Sequence, residues 1–207
     1  MYITSVLEFI RAGGVRMLVT LVMALSLGAT GDAPPLALQG MECITQNDSD
    51  PATRSSPLDS VMFSVGRASV KVCYSRPSAK GRTMIGGEAI PYDKLWRTGA
   101  NEPTMIHTSG TLVVAGIEIG PGSYALYPVP GEAGWQVVLN RSITQWGHER
   151  FYVDEVATQE IGRAEVESGP TTSHVESFTM RSEGSGNMVT LILEWESTLV
   201  TIPLRQG

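Results

Sequence analysis

Hydrophobic and polar residues alternate along much of this chain. In the segment SVKVCYS, Val70, Val72 and Tyr74 fall on one side of an extended chain. Lys71 and Cys73 fall on the other side. Because successive side chains of a strand point to opposite faces, this pattern predicts a strand with one face towards a core. Similar patterns predict strands in these segments: TMIHTS, TLVVAGIEI, GSYALYPV, WQVVLN, IGRAEVES, HVESFTMR, NMVTLILEW and TLVTIPL.

Turn residues separate these segments every 8 to 12 residues or so, which is the spacing of all-β folds. Ala115-Gly116 predicts a tight hairpin inside TLVVAGIEI. The turn in SEGSGN predicts an antiparallel pair between HVESFTMR and NMVTLILEW. Only short helical possibilities occur, for example in ERFYVDEVAT. We therefore predict an all-β fold, a single antiparallel β-sandwich of the jelly-roll kind, rather than βαβ units.

The first residues of the chain have the pattern of an export signal. Arg11 and Arg16 precede the apolar run 17–29. This run has about the length of a signal-peptide core and is shorter than the roughly 18 residues of a membrane-spanning helix. We interpret residues 1–33 as a signal peptide or hydrophobic export segment; the alternative is a buried helix of the folded domain.

The next segment differs in composition from both of its neighbours. Residues 34–60 contain two adjacent prolines, the polar run QNDSDPATRSSP and little periodicity, so they predict a flexible linker. The folded β-sandwich domain is then expected over residues 61–207. The expected location is periplasmic or extracellular, with attachment to the membrane surface as an open alternative. No stable membrane span is expected after removal of the signal.

Composition narrows the classes of function. Hydrophobic residues make up 42% of the chain, which is enough to form a sizeable core. The formal net charge of −6 argues against a general nucleic-acid binder, because such a protein needs a basic face to displace counterions from phosphates. We therefore expect no nucleic-acid partner.

Two cysteines, Cys43 and Cys73, leave three interpretations open. They form a disulfide in an oxidising compartment, they remain free thiols, or Cys43 carries a lipid anchor. Glu42 is a poor residue immediately before a lipidated cysteine, which weakens the third interpretation. Free thiols, or a bridge of little structural importance, are favoured here.

Several pieces of the sequence occur in the order of a known family. They are YSRPSAKGR at 74–82, PYDKLWRTGANE at 91–102, GSYALYPVP at 122–130 and QWG at 145–147. With these pieces the chain resembles the DUF2911 family of uncharacterised, mostly exported bacterial proteins, over roughly residues 68–204. The resemblance implies a β-rich domain and an exported bacterial protein. It implies no activity, cofactor or catalytic residue.

Two predicted loops, around 74–82 and 96–102, concentrate groups that bind ligands. Arginine recognises carboxylate, phosphate or sulfate through two parallel hydrogen bonds, and an indole ring forms an apolar wall like those of sugar sites. We therefore predict a site for a small polar or anionic ligand, such as a saccharide. Its candidate residues are Arg76, Lys80, Arg82, Trp96, Arg97, Asn101 and Glu102.

The same residues also permit a purely structural interpretation. Arg97 would pair with Glu102 or Glu88, and Asn101 would cap a turn. Gly99 would be present because the backbone needs a positive φ there. A buried charge needs a partner, so the pairing of these charges decides between a structural clasp and a ligand site.

Catalysis has weaker support in the sequence. Glu88, Asp93 and Glu102 flank one segment, and a hydrolase needs two carboxylates across a cleft. GxSxG is absent, so we reject a serine nucleophile.

Metal binding has equally weak support. His107, His148 and His174 do not form HxH or HExxH. We predict no metal and no cofactor, although His107 is able to approach Glu102 or His148 in a sheet.

Three hypotheses follow. The first is an exported protein that binds a small polar ligand or another envelope component. The second is a structural or protein-interaction module of the cell envelope. The third is a carboxylate- or metal-dependent hydrolase, so whether the protein is an enzyme stays open.

Overall fold

The computed structural model describes residues 41–46, 50–147 and 149–207. The predicted export segment 1–33 and His148 lie outside these residues. Within the described residues, nine strands form one antiparallel sheet, with the order β1-β2-β3-β6-β7-β8-β9-β4-β5. The predicted all-β, antiparallel fold is confirmed, whereas the jelly-roll sandwich stays a prediction. No helix in this part of the chain is long and apolar enough to span a membrane.

The regular elements have the following bounds. The strands are β1 (Leu58–Val65), β2 (Ala68–Ser75), β3 (Thr104–Thr108), β4 (Leu112–Val114), β5 (Ile117–Ile119), β6 (Gly122–Val129), β7 (Trp135–Asn140), β8 (Glu160–Ser185) and β9 (Met188–Gln206). A 3-10 turn (Glu149–Phe151) and a short helix α1 (Asp154–Ala157) lie between β7 and β8, where the sequence predicted a short helical piece.

The alternating pattern correctly predicts which side chains enter the core. Val70, Val72 and Tyr74 of β2 all belong to the main hydrophobic cluster. In β7, Val137 belongs to this cluster but its neighbour Val138 belongs to a second, smaller one. The sheet therefore has apolar contacts on both faces in this region, and we call the face of the second cluster the outer face.

The predicted hairpin at Ala115-Gly116 is confirmed. Strands β4 and β5 pair antiparallel on either side of these two residues. Ala115 has φ +47° and Gly116 has φ +90°, so both turn residues are in the left-handed region that two-residue hairpins favour. The SEGSGN turn also joins an antiparallel pair, β8 and β9.

The strand β8 differs from the prediction, which divided it in two. IGRAEVES and HVESFTMR form one strand of 26 residues, Glu160–Ser185. Its first part pairs with β7 and its second part pairs with β9. The register shifts between Pro170 and Val175 and again before Thr179. Proline lacks a backbone N–H and favours such irregularities, so GPTTS has the composition of a turn although the strand continues.

The chain before residue 61 also departs from the prediction. Strand β1 begins at Leu58, before the expected domain start. Cys43 and Cys73 form a disulfide, with Cα atoms 5.5 Å apart, so the free-thiol interpretation is wrong. The described part of the predicted linker is therefore attached to the sheet. We call residues 41–46 and 50–57 the N-terminal arm.

The chain after β2 brings two parts of the sheet together around the main core. Phe178 N donates to Pro77 O and Ala79 N donates to Glu176 O, each at 2.9 Å. Residues 77–79 thereby bond to the edge of β8 opposite β9. The main hydrophobic cluster contains residues of β2, β3, β6 and β7 as well as β8 and β9.

Residues 141–147 and 149–157 cover part of the outer face, and we call them the covering segment. Ile143 and Tyr152 pack against the second hydrophobic cluster, which contains Tyr127 and Val138. Tyr152 meets the ring of Tyr127 edge-on, with ring centroids 5.2 Å apart.

Candidate functional site

Arg76, in the first predicted loop, connects strands. Its Nη1 lies 3.3 Å from Asp59 Oδ2, in an ion pair between half-exposed side chains. Nε donates to Phe178 O at 3.3 Å, and Nη2 donates to Thr179 Oγ1 at 3.1 Å. All three guanidinium nitrogens therefore have partners, and Arg76 joins β1 and β8 at the end of β2.

Arg82 and Lys80 have local partners. Arg82 donates to the carbonyls of Ala79, at 2.9 Å, and Ser78, at 3.1 Å. The backbone N of Lys80 donates to Glu176 Oε1 at 2.8 Å, and this bond is the largest of the causes that lower the pKa of Glu176. Among the described contacts, no side chain of Arg76, Lys80 or Arg82 bonds to residues 96–102.

Trp96 belongs to the core. Its ring stacks on Trp195 with centroids 5.8 Å apart and meets Phe178 edge-on at 5.2 Å. Its indole Nε1 donates to Gly99 O at 3.2 Å. Only 7% of Trp96 is exposed, so its ring packs inside the domain and does not line an open ligand site.

The residues TGAN form the predicted tight turn. Thr98, Gly99 and Asn101 all have positive φ, with +125° at Gly99. A Cβ on Gly99 would lie 2.5 Å from Ser75 O, so only glycine permits this approach of the turn to β2. Thr98 Oγ1 donates to Leu126 O at 2.7 Å and fixes the other side of the turn to β6.

Asn101 joins the arm to the covering segment. Its Nδ2 lies 3.3 Å from Ser56 O in the arm and 3.3 Å from Ser75 Oγ in β2. Its backbone carbonyl accepts a hydrogen bond from Gly147 N at 3.1 Å. The pieces WRTGANE and QWG, distant in sequence, therefore meet at Asn101.

Glu102 forms a buried ion pair with a residue that the sequence did not indicate. Arg54 Nη1 donates to Glu102 Oε2 at 2.7 Å, and the two side chains are 5% and 4% exposed. Gln46 N donates to Glu102 Oε1 at 2.6 Å. Glu102 therefore holds the N-terminal arm instead of pairing with Arg97. Arg54 lies in the predicted linker, so no pattern marked it.

Arg97 occupies the outer face. Trp96 N donates to Pro128 O at 2.8 Å, so residues 96–98 run beside β6. Side chains of an extended chain alternate between faces. Because Trp96 enters the main core and Leu95 packs against the second cluster, we expect the Arg97 side chain on the outer face.

The guanidinium of Arg97 is incompletely satisfied. Its Nε is buried and has no hydrogen-bond partner. Burial lowers the pKa of Arg97, and the carboxylate of Glu149 opposes this effect. A buried donor without an acceptor costs about 1–3 kcal/mol of stability. Such donors are rare in folded proteins, so the unsatisfied Nε of Arg97 needs an explanation.

A hydrogen-bonded network extends from Tyr127 beneath the covering segment. Gln145 Nε2 donates to Tyr127 Oη at 2.5 Å, and Tyr152 Oη donates to Glu160 Oε2 at 2.9 Å. Asn140 Nδ2 donates to Tyr152 Oη at 3.2 Å. We call these residues, with Arg97, the covered polar cluster: Arg97, Tyr127, Asn140, Gln145, Tyr152 and Glu160.

Ionisation in this cluster is perturbed for identifiable reasons. Burial raises the pKa of Tyr127 and is also the main cause of the raised pKa of Tyr152. The hydrogen bond from Arg163 holds the pKa of Glu160 below its usual range. Tyr127 and Gln145 belong to GSYALYPVP and QWG. The motifs thus carried a signal for these residues, but neither is charged, and the predicted site contains neither.

The carboxylates proposed for hydrolysis have different surroundings. Glu102 is committed to its ion pair, and Glu88 is exposed. Asp93 lines an open groove of about 760 Å³ with Glu165 and Glu167. None of the seven predicted ligand-binding residues lines this groove.

The described histidines are also apart. His107 is buried, with Nδ1 2.7 Å from Ser123 Oγ and Nε2 without a partner. His174 is exposed, 3.4 Å from Glu176. Within the described residues, no group of three or more His, Cys, Asp or Glu residues is placed to hold a metal ion.

The fold and the site define an all-β antiparallel domain in which the WRTGANE turn bonds to both the N-terminal arm and the covering segment. A family model described as "Protein of unknown function (DUF2911)" matches residues 56–204, and the chain belongs to this family. No curated protein and no solved structure matches the chain.

Proposed function

We propose that this protein binds a small polar or anionic ligand, such as a saccharide or a sugar acid, at the covered polar cluster. The observation that carries the proposal is the buried Nε of Arg97, which has no acceptor. An oxygen of the ligand accepts this hydrogen bond. The ligand thereby removes the free-energy cost of a buried, unsatisfied donor.

The surroundings of Arg97 support this assignment. Groups with perturbed pKa values cluster at functional sites more often than elsewhere, and Arg97, Tyr127 and Tyr152 are all shifted by burial on one face. The hydroxyl of Tyr127 and the amide of Gln145, which bond to each other, add polar groups under the covering segment. Sugar sites combine such groups with aromatic rings.

Of the seven residues predicted to bind a ligand, Arg97 is the one on which we centre the site. Arg76, Arg82 and Glu102 have internal partners, and Trp96 packs in the core. The disulfide supports the expectation that the protein works in an oxidising compartment after export, because such bonds are rare where thiols are kept reduced.

The test is a thermal-shift screen of the purified protein with neutral sugars, sugar acids, phosphate and dicarboxylates. Wild type is compared with Arg97→Gln, and Arg82→Gln is the matched control because Arg82 bonds only to nearby carbonyls among the described contacts. We expect one ligand class to raise the melting temperature of the wild type and of Arg82→Gln by several degrees. Arg97→Gln should lose that response.

The unliganded variants give a second readout. Arg97→Gln removes a charge that burial disfavours, so its melting temperature without ligand should equal or exceed that of the wild type. If the response to every ligand class survives in Arg97→Gln, the proposed site is wrong. A response to none of the ligand classes contradicts the proposed function.

The second candidate is a structural or protein-interaction module of the cell envelope. The internal pairing of Arg76 and Glu102 favours it, since paired charges hold elements together without a ligand. It predicts that Arg97→Gln melts far below the wild type and that no small ligand stabilises either protein.

A further inference from the structure

Arg54 presents two unsatisfied donors inside the protein. Its side chain is only 5% exposed, and Nη1 bonds to Glu102. Nε and Nη2 are both buried without a hydrogen-bond partner. Leaving donors of a charged group unsatisfied is more costly than leaving a neutral one, and Arg54 leaves two such nitrogens where Arg97 leaves one.

The two nitrogens lie on one edge of the guanidinium. In arginine, the N–H bonds of Nε and Nη2 point in parallel from the same edge of the planar group. The group that complements this edge has two oxygens on one centre, as in a carboxylate or a phosphate. A single acceptor would satisfy only one of the two donors.

We propose that Arg54 binds a small oxyanion, a carboxylate or a phosphate, through Nε and Nη2. The bound oxyanion lies where the N-terminal arm meets the WRTGANE turn. This site is separate from the covered polar cluster, because it depends on Arg54 and Glu102 and does not involve Arg97.

The existing ion pair leaves two donor nitrogens of Arg54 for a second acceptor. Arginine has five N–H bonds, and Glu102 uses one nitrogen of the three. Glu102 itself accepts a further hydrogen bond from Gln46 N, which offsets part of its charge. The guanidinium is then placed between two anionic groups, each bonded to a different edge.

A consequence follows for the arm. The arm is held by the Arg54–Glu102 ion pair, by the hydrogen bond from Asn101 Nδ2 to Ser56 O and by the disulfide of Cys43 with Cys73. An oxyanion that binds only when Arg54 is docked shifts the local equilibrium towards the docked arm. Anion binding should therefore protect the backbone around Arg54 from proteolysis.

Limited trypsin digestion of the full protein tests this directly. Cleavage after Arg54 is followed by mass spectrometry after reduction, with inorganic phosphate or acetate added and ionic strength matched with chloride. At ten times its dissociation constant, the oxyanion should slow this cleavage about tenfold. Cleavage after the exposed Lys94 is the internal control and should not change.

Arg54→Lys is the matched variant. Lysine keeps the positive charge opposite Glu102 and remains a trypsin site, but it lacks the two parallel donors. We expect phosphate and acetate to give no protection in Arg54→Lys and full protection in Arg97→Gln. Equal protection in Arg54→Lys, or none in the wild type, overturns the proposal. Protection lost only in Arg97→Gln would assign the anion to the covered polar cluster instead.

Discussion

The segments SRPSAKGR and WRTGANE have similar compositions and different roles. Both combine arginine with small and polar residues, and the sequence predicted that both bind a ligand. In the first, Arg76 pairs with half-exposed Asp59 and donates to β8, and Arg82 donates to local carbonyls. In the second, Glu102 is fully buried in an ion pair and Arg97 has a buried nitrogen without an acceptor.

The difference shows that the partner, and not the residue type, determines what a charged group contributes. The first segment connects the end of β2 to β8 through the backbone hydrogen bonds of residues 77–79. The second holds the arm through Glu102 and the covering segment through Asn101. Half-exposed pairs contribute little to stability, whereas buried charges that lose their partners are very costly. Stability should therefore depend much more on the second segment.

The largest effect is expected for Glu102→Gln. This change removes the charge that compensates buried Arg54, and breaking a buried pair in this way costs about 3–5 kcal/mol. Urea unfolding of the wild type and the variant measures the loss. A change below about 1 kcal/mol would show that the pair is solvated in solution and would remove the main contrast between the two segments.

The next effect is expected for Gly99→Ala. A Cβ there meets Ser75 O at 2.5 Å at φ +125°, so the variant should lose about 3 kcal/mol in unfolding free energy. Gly116→Ala is the control, since φ is also positive but no atom lies within 4 Å of its Cβ. It should lose only about 1 kcal/mol. Equal losses would mean that φ, and not contact with β2, determines the need for glycine at position 99.

Local patterns predicted those parts of the fold that depend on local geometry. The alternation of Val70, Val72 and Tyr74 identified a core face, and Ala115-Gly116 identified a hairpin. The bond from Arg54 to Glu102 joins residues 48 positions apart and follows no periodicity. Its position depends on where the arm docks on the folded sheet, which no short segment encodes.

The candidate site shows the same division. The sequence identified WRTGANE as a turn with Gly99 at its sharpest point, because turn residues carry that information locally. It also selected Trp96 as a wall of the ligand site, although Trp96 stacks on Trp195. An indole that follows a loop has the same local pattern in either role. Only the position of the distant β9 distinguishes between them.

A third, smaller effect is expected in the pH dependence of stability, where the histidines beside the two segments are compared. His107, in the strand that follows WRTGANE, has a pKa lowered mainly by burial and also by Lys71. The unfolded chain therefore binds a proton below about pH 6.5 while buried His107 stays neutral, so stability falls as the pH decreases from that value. Above it, His107 makes no pH-dependent contribution.

Unfolding of the wild type, His107→Gln and His174→Gln between pH 5 and 8 measures this difference. His107→Gln should flatten the pH dependence, because glutamine does not titrate. His174→Gln is the comparison at an exposed histidine, which lies beside Glu176 near the first segment. If His174→Gln flattens the pH dependence of stability and His107→Gln does not, buried His107 is not its source.

The smallest effect is expected for Asp59→Asn, which neutralises the partner of Arg76. The two side chains are 40% and 38% exposed, so solvent screens their attraction, and the variant should lose less than about 1 kcal/mol. Arg76 also retains its hydrogen bonds to Phe178 O and Thr179 Oγ1. Urea unfolding beside Glu102→Gln gives the comparison at equal charge change. If Asp59→Asn destabilises the protein as strongly as Glu102→Gln, the exposure of the ion pairs does not explain the difference between the two segments. SRPSAKGR would then depend on its ion pair as strongly as WRTGANE does.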